Sequence, residues 1–212
     1  MYLKFLFVFV LTIFFSNELK ANAPDQPPKK WPCDQVYNPK INLKAIWQGP
    51  DISEYRKWWK DDDVIEVVNK LSDPILNEED GVRIINEFAK KHTFFGLIKK
   101  SSQREKLLNV FAGLYEKALQ RRNKQYLGII KFVEKQDIVR NEIGNASKEI
   151  RGLRKTGVDP KNPKFLDAEA KLKWNTRVFD QRTRLTEFMC EEPVYGEQRI
   201  GYQARLILSL IN

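Results

Sequence analysis

Between Lys124 and Thr156 the chain places Ile129, Phe132, Gln136, Val139, Ile143, Ala146, Ile150 and Leu153 at alternating steps of three and four. Seven of these eight positions are apolar, and no proline interrupts the run. A seam of this kind lays one long helix along a partner helix. At about 1.5 Å per residue the 33 residues make a rod of roughly 50 Å, too long to be enclosed in a compact domain of this size. A breaker, Gly157-Val158-Asp159-Pro160-Lys161-Asn162-Pro163, follows it. The partner is then Pro163 to Cys190, with Phe165, Leu172, Trp174, Val178, Phe179, Leu185, Phe188 and Met189 expected inward. The spacing predicts an all-α fold: a helical bundle with a long antiparallel, coiled-coil-like hairpin, its arms at about 124–156 and 163–190. Pro193 is expected to end the second arm, and a last helix to run from Glu197 to Leu210.

Residues 1–23 are read as a secretory signal peptide: Lys4, an apolar run from Phe5 to Phe15, then the small-x-small triplet Ala21-Asn22-Ala23. Spanning a bilayer takes about 20 apolar residues, so this run is too short for an anchor and the mature chain is not expected to be transmembrane. The expected location is the periplasm or the outside of the cell. Two cysteines remain, Cys33 and Cys190, and in an oxidising compartment they are expected to form one disulfide. Redox catalysis and covalent haem attachment are disfavoured, because neither C-x-x-C nor C-x-x-C-H occurs. The formal charge of +9 is uneven. Residues 99–184 hold 22 Lys/Arg against 10 Asp/Glu, whereas residues 24–98 hold 11 against 13. The rod therefore carries the positive field, which suits an acidic protein or an anionic surface. Nucleic acid is not an expected partner of an exported protein.

Residues 24–50 read as an extended N-terminal segment, because prolines at 32, 39 and 50 forbid a long helix there. Residues 51–212 read as a single helical domain. It begins with a short amphipathic helix through Ile52, Tyr55, Trp58 and Trp59. Asp61-Asp62-Asp63 suits the cap and first turn of the next helix better than a metal site, since the spacing of a calcium loop is missing. Asn77 with Glu78-Glu79-Asp80 reads the same way for a third helix, and Ser102-x-x-Glu105 as a capping box for a fourth. Nothing between 102 and 156 compels a break, so one continuous helix there is an open alternative. His92 is the sole histidine, which removes any two-histidine metal site, and no G-x-S-x-G elbow is present. No cofactor, metal or catalytic residue is assigned.

The stretch Trp31-Pro32-Cys33-Asp34-Gln35, with Trp47-x-Gly49-Pro50 beyond it, resembles the opening of small uncharacterised exported alphaproteobacterial proteins, which carry W-P-C-x-Q and W-x-G-P just after the signal. The resemblance covers about 20 residues; it implies a periplasmic setting and no catalytic residues. In architecture the basic hairpin is similar to periplasmic holdase chaperones of the Skp type. The expected function is a non-enzymatic binding, adaptor or chaperone-like accessory role toward an acidic envelope partner. Candidate contacts are Arg151, Arg154, Lys155, Lys161 and Lys164 at the tip, with Arg177, Arg182 and Arg184 along the arm. Self-association through the hairpin is a further option. The alternative is a peptidoglycan hydrolase with one catalytic carboxylate, drawn from Glu87, Glu105 or Glu142.

Overall fold

The computed structural model describes residues 22–91 and 100–212. The signal-peptide reading, apart from Asn22 and Ala23, and the reading of His92 both lie outside these residues. Helices α1 (Leu43–Ile46), α2 (Asp62–Leu71), α3 (Glu78–Lys91), α4 (Lys100–Lys155) and α5 (Pro163–Ile211) account for most of the chain, and no strand occurs among the described residues. The fold is all-α, and α4 and α5 pack as an antiparallel hairpin. With 56 and 49 residues they are about 84 Å and 74 Å long.

Every one of the eight predicted seam positions on α4 is buried or half-buried, none exposed. The turn between the arms closes as a Schellman motif. Gly157 sits at φ 70°, its N–H reaches Arg154 O at 3.2 Å, and Val158 N–H reaches Leu153 O at 3.1 Å. Only glycine takes this backbone without strain. Asn162 then caps α5 by accepting from Lys164 N–H at 2.9 Å, with Pro163 in the first turn. Ile150, Phe165 and Ala168 form a small apolar cluster that closes the tip.

The main core lies at the other end. There α2, α3 and residues 41–60 wrap the base of α4 (Leu107, Val110, Phe111, Leu114) and the end of α5 (Ile200, Ala204, Ile207, Ile211). Trp47 stacks on Phe111 with ring centroids 4.0 Å apart. Trp58 is buried and donates its Nε1–H to Glu116 Oε2 at 2.8 Å. The first two caps are as the sequence predicts: Asp61 Oδ1 accepts from Val64 N–H at 3.3 Å, and Asn77 Oδ1 from Asp80 N–H at 2.8 Å. Asp61 and Asp63 are also held by Lys106, at 2.9 and 3.6 Å.

Several boundaries differ from the reading of the sequence. In place of one amphipathic helix after Asp51 there are two single 3-10 turns, Ser53–Tyr55 and Trp58–Lys60, which turn Ile52 and Trp58 inward and leave Trp59 exposed. Helix α4 begins at Lys100, so Ser102 lies within it. It then continues without a break to Lys155, the alternative left open by the sequence. Pro193 does not stop the second arm, because α5 runs straight through it to Ile211. The ring costs a hydrogen bond to the turn before it. Here, however, it is fully buried, and its carbonyl receives Arg122 Nη1 at 3.1 Å. Packing against α4 on both sides of the proline outweighs a local penalty of about 3 kcal/mol.

The N-terminal segment is laid along the base of the hairpin. Cys33 and Cys190, 157 positions apart in the chain, are bonded, with Cα atoms 5.5 Å apart. Trp31 stacks on Tyr126 at 5.1 Å, Lys30 pairs with Asp137 at 2.6 Å, and Gln35 donates to Cys190 O. No described helix is long and apolar enough to cross a membrane.

Candidate functional site

Helix α5 carries two stripes. One is its half of the seam: Phe165, Ala168, Leu172, Asn175, Phe179, Arg182, Thr186, Met189 and Pro193, all buried or half-buried. The other runs along the outer face. Trp174 is 63% exposed, Leu185 51%, Phe188 65% and Tyr195 56%. Steps of eleven, three and seven bring these side chains back to nearly one angle on a helix. Trp174, Leu185 and Phe188 were expected to face inward, and they do not. Alternating steps of three and four from Phe165 pass through Asn175, Arg182 and Thr186 instead, so the interface between the arms takes polar side chains while large apolar ones are left outside.

One pair of seam residues shows how that interface tolerates polarity. Gln136 on α4 is 7% exposed and donates through Nε2 to Phe179 O at 2.9 Å and Thr183 Oγ1 at 3.1 Å. Its Oε1 is buried and has no partner. A polar side chain at a single seam position fixes register at some cost in stability.

The predicted contact residues fall into three groups. Arg151 and Arg154 line a shallow tip cleft of about 450 Å³ with Ile150, Ser147, Glu169 and Leu172. Arg154 also lies over the Phe165 ring at 5.6 Å and 3.9 Å from Glu169. Lys155, Lys161 and Lys164 are exposed on the turn and the first residues of α5. Arg177 and Arg184, seven residues apart, stand exposed beside the outer stripe. None of Arg151, Lys155, Lys161, Lys164, Arg177 or Arg184 has an ion pair among the described residues. Arg182 differs from the others: it is half-buried and reaches across to Lys135 O at 3.4 Å, so it belongs to the joint between the arms.

Two features escape the sequence reading. One is the aromatic outer stripe itself, of which Trp174, Leu185 and Phe188 merge with the seam in the sequence and Tyr195 is not singled out there. The other is Arg122, placed by the sequence at a doubtful helix break. It is 7% exposed and donates Nε to Asn38 O at 2.7 Å and Nη2 to Tyr126 Oη at 3.2 Å, besides pairing with Glu197 at 3.0 Å. The three carboxylates considered for hydrolysis, Glu87, Glu105 and Glu142, are all exposed, and none lines a described cavity. No protein-family model matches the chain, and no curated protein or solved structure is similar enough to it to count as a match.

Proposed function

We propose that this is an exported, non-enzymatic binding protein, an adaptor or chaperone-like accessory component, whose basic hairpin engages an acidic partner in the cell envelope. The observation that carries the reading is the outer face of α5, where four large apolar side chains stand exposed beside Arg177 and Arg184. Scattered exposed apolar residues are ordinary, but an aligned row of aromatic and aliphatic side chains flanked by Arg177 and Arg184, with Glu192 near its far end, has the make-up of a contact surface. Unpaired arginines and lysines draw an acidic partner in, and burial of Trp174 and Phe188 holds it. The disulfide supports residence in an oxidising compartment, as does the signal-like N-terminus.

Size sets the strength. From Trp174 to Tyr195 the stripe extends about 32 Å, and over a helix about 10 Å wide it offers roughly 300 Å². That is well below the ~800 Å² per partner of a standard interface, so the contact is weak and salt-sensitive unless the tip joins it. The test is a photo-crosslinking residue at 174 or 188, with a control at exposed Ile75 on the head, the end of the molecule that holds the main core, followed by identification of the product and binding to the purified partner. Crosslinks confined to 174 and 188, and affinity that falls from about 50 to about 300 mM salt and with Arg177→Glu/Arg184→Glu, support the reading. Equal yields from position 75, or binding indifferent to salt and to charge reversal, refute it.

A further inference from the structure

Independently of the hairpin's outer face, the base of the molecule contains a cationic cavity whose one lining acid is already engaged. Ser72, which caps the end of α2, meets α4 at residues 117–122 and α5 at residues 196–203. Between them is a half-open cavity of about 50 Å³ whose lining includes Ser72, Lys117, Arg121, Arg122, Glu197 and Arg199. Glu197 is the only carboxylate of the lining and is paired with Arg122 at 3.0 Å. Arg121 and Arg199 have no carboxylate within ion-pair distance among the described residues. Arg121 Nη2 donates to Ser72 O, while Arg199 donates Nη1 to Asp73 O at 2.6 Å and Nη2 to Pro74 O at 2.8 Å. These bonds complement the carbonyl end of α2, as does Gln203 Nε2 on Leu71 O at 3.1 Å.

Capping α2 does not use everything present. Nε and Nη1 of Arg121 and Nε of Arg199 carry no hydrogen bond among the described residues. The Ser72 hydroxyl on the same lining is buried without a partner, although buried hydroxyls are normally bonded. Burial, and then the charge of Arg199, pull the Arg121 guanidinium below its ordinary pKa, and the smaller opposing pull of the Asp73 and Glu192 carboxylates does not make up for them. An anion between Arg121 and Arg199 relieves both deficits.

We propose that this cavity binds a small oxyanion of the phosphate class, gripped by Arg121 and Arg199, with Ser72 Oγ as a neutral donor and Lys117 adding charge. Guanidinium forks match the oxygen spacing of such groups. At roughly 10–15 Å³ per water-sized probe, the cavity has space for about four waters, enough for one tetrahedral anion. A phosphomonoester enters with its organic part left in solvent. Because the site joins α2 to both long helices, occupancy stabilises the head.

The test is thermal unfolding of the disulfide-intact protein at constant ionic strength, with chloride replaced by inorganic phosphate or, separately, glycerol phosphate up to about 20 mM. The expected result is a saturable rise in midpoint for at least one of them. That rise is lost in Arg121→Gln, and in Ser72→Ala, a variant expected to fold normally, its half-saturation concentration is raised about threefold or more. Titration calorimetry of Ser72→Ala keeps the test decisive if Arg121→Gln does not fold. A stronger response to glycerol phosphate assigns the site to a phosphate on a larger molecule, and a stronger response to the inorganic ion assigns it to the free anion. No rise with either, or an unsaturating rise of equal size in wild type and variants, as exclusion of phosphate from protein surfaces produces, overturns the proposal.

Discussion

Glycines at three places along α4 allow the packing of the head to be tested with one chemical change. A Cβ at Gly113 would lie 2.7 Å from Val68 Cγ2, 2.9 Å from Trp58 Cδ2 and 3.1 Å from Trp58 Cε3. Neither neighbour yields easily. Val68 is fully buried and β-branched, and the Trp58 ring is buried and held through its Nε1–H by Glu116. Relief requires α2 and the Trp58 turn to move off α4, an overpacking cost of about 1–3 kcal/mol. Helix propensity returns up to about 1 kcal/mol, so Gly113→Ala is expected to destabilise by up to about 2 kcal/mol. A Cβ at Gly144 or Gly152, in the arm, meets nothing within 4 Å. There the same change is expected to stabilise by about 0.5–1 kcal/mol. All three substitutions restrict the unfolded chain alike, so their difference reports the folded state. Urea unfolding followed by tryptophan fluorescence and far-ultraviolet circular dichroism, with unchanged m-values, supplies the comparison. If Gly113→Ala is as stabilising as Gly144→Ala, then Trp58 and Val68 do not press on α4 and the head is packed differently.

Replacing both Cys33 and Cys190 with serine removes a cross-link spanning 157 positions, and the chain-entropy model sets the expected loss at up to about 5 kcal/mol in the same urea assay. No loss would mean that the unbonded N-terminal segment is held as well by its other contacts. Arg122→Met strands the Asn38 and Pro193 carbonyls and Glu197, and is expected to cost about 3 kcal/mol; a value near zero contradicts the buried joint. For Asp61, burial raises the pKa, but the Lys106 hydrogen bond and the Val64 N–H together lower it by more, leaving a net depression. Its contribution is therefore present at neutral pH and lost as the pH falls below its ordinary value of 3.8. Melting curves of Lys106→Met between neutral and acid pH should show a shallower acid limb than wild type. Trp174→Ala/Phe188→Ala is expected to leave stability within about 0.5 kcal/mol of wild type while reducing partner binding; a cooperative loss of fold would place those rings in the core.

The hairpin is legible in the sequence because its signal is long and redundant. Eight positions on α4 share one spacing, and the turn residues Gly157, Asn162 and Pro163 each have a single local role. Pro193 is not legible. Its local chemistry argues for a helix end, while the packing that overrules it comes from Arg122 and the N-terminal segment, 71 positions and more away along the chain. The outer stripe was obscured for a different reason. Apolar spacing reveals that a helix has a face but not how many, and on α5 Trp174, Leu185 and Phe188 also fall at helical spacing. Only the partner arm separates the two, by taking Asn175, Arg182 and Thr186 and leaving the rings outside. Helix α5 thus buries polar side chains against the partner arm and leaves large aromatic ones outside. If those rings lie outside the core, Trp174→Ala/Phe188→Ala leaves the unfolding midpoint near that of wild type, and a cooperative loss of fold would show that they pack in the seam after all.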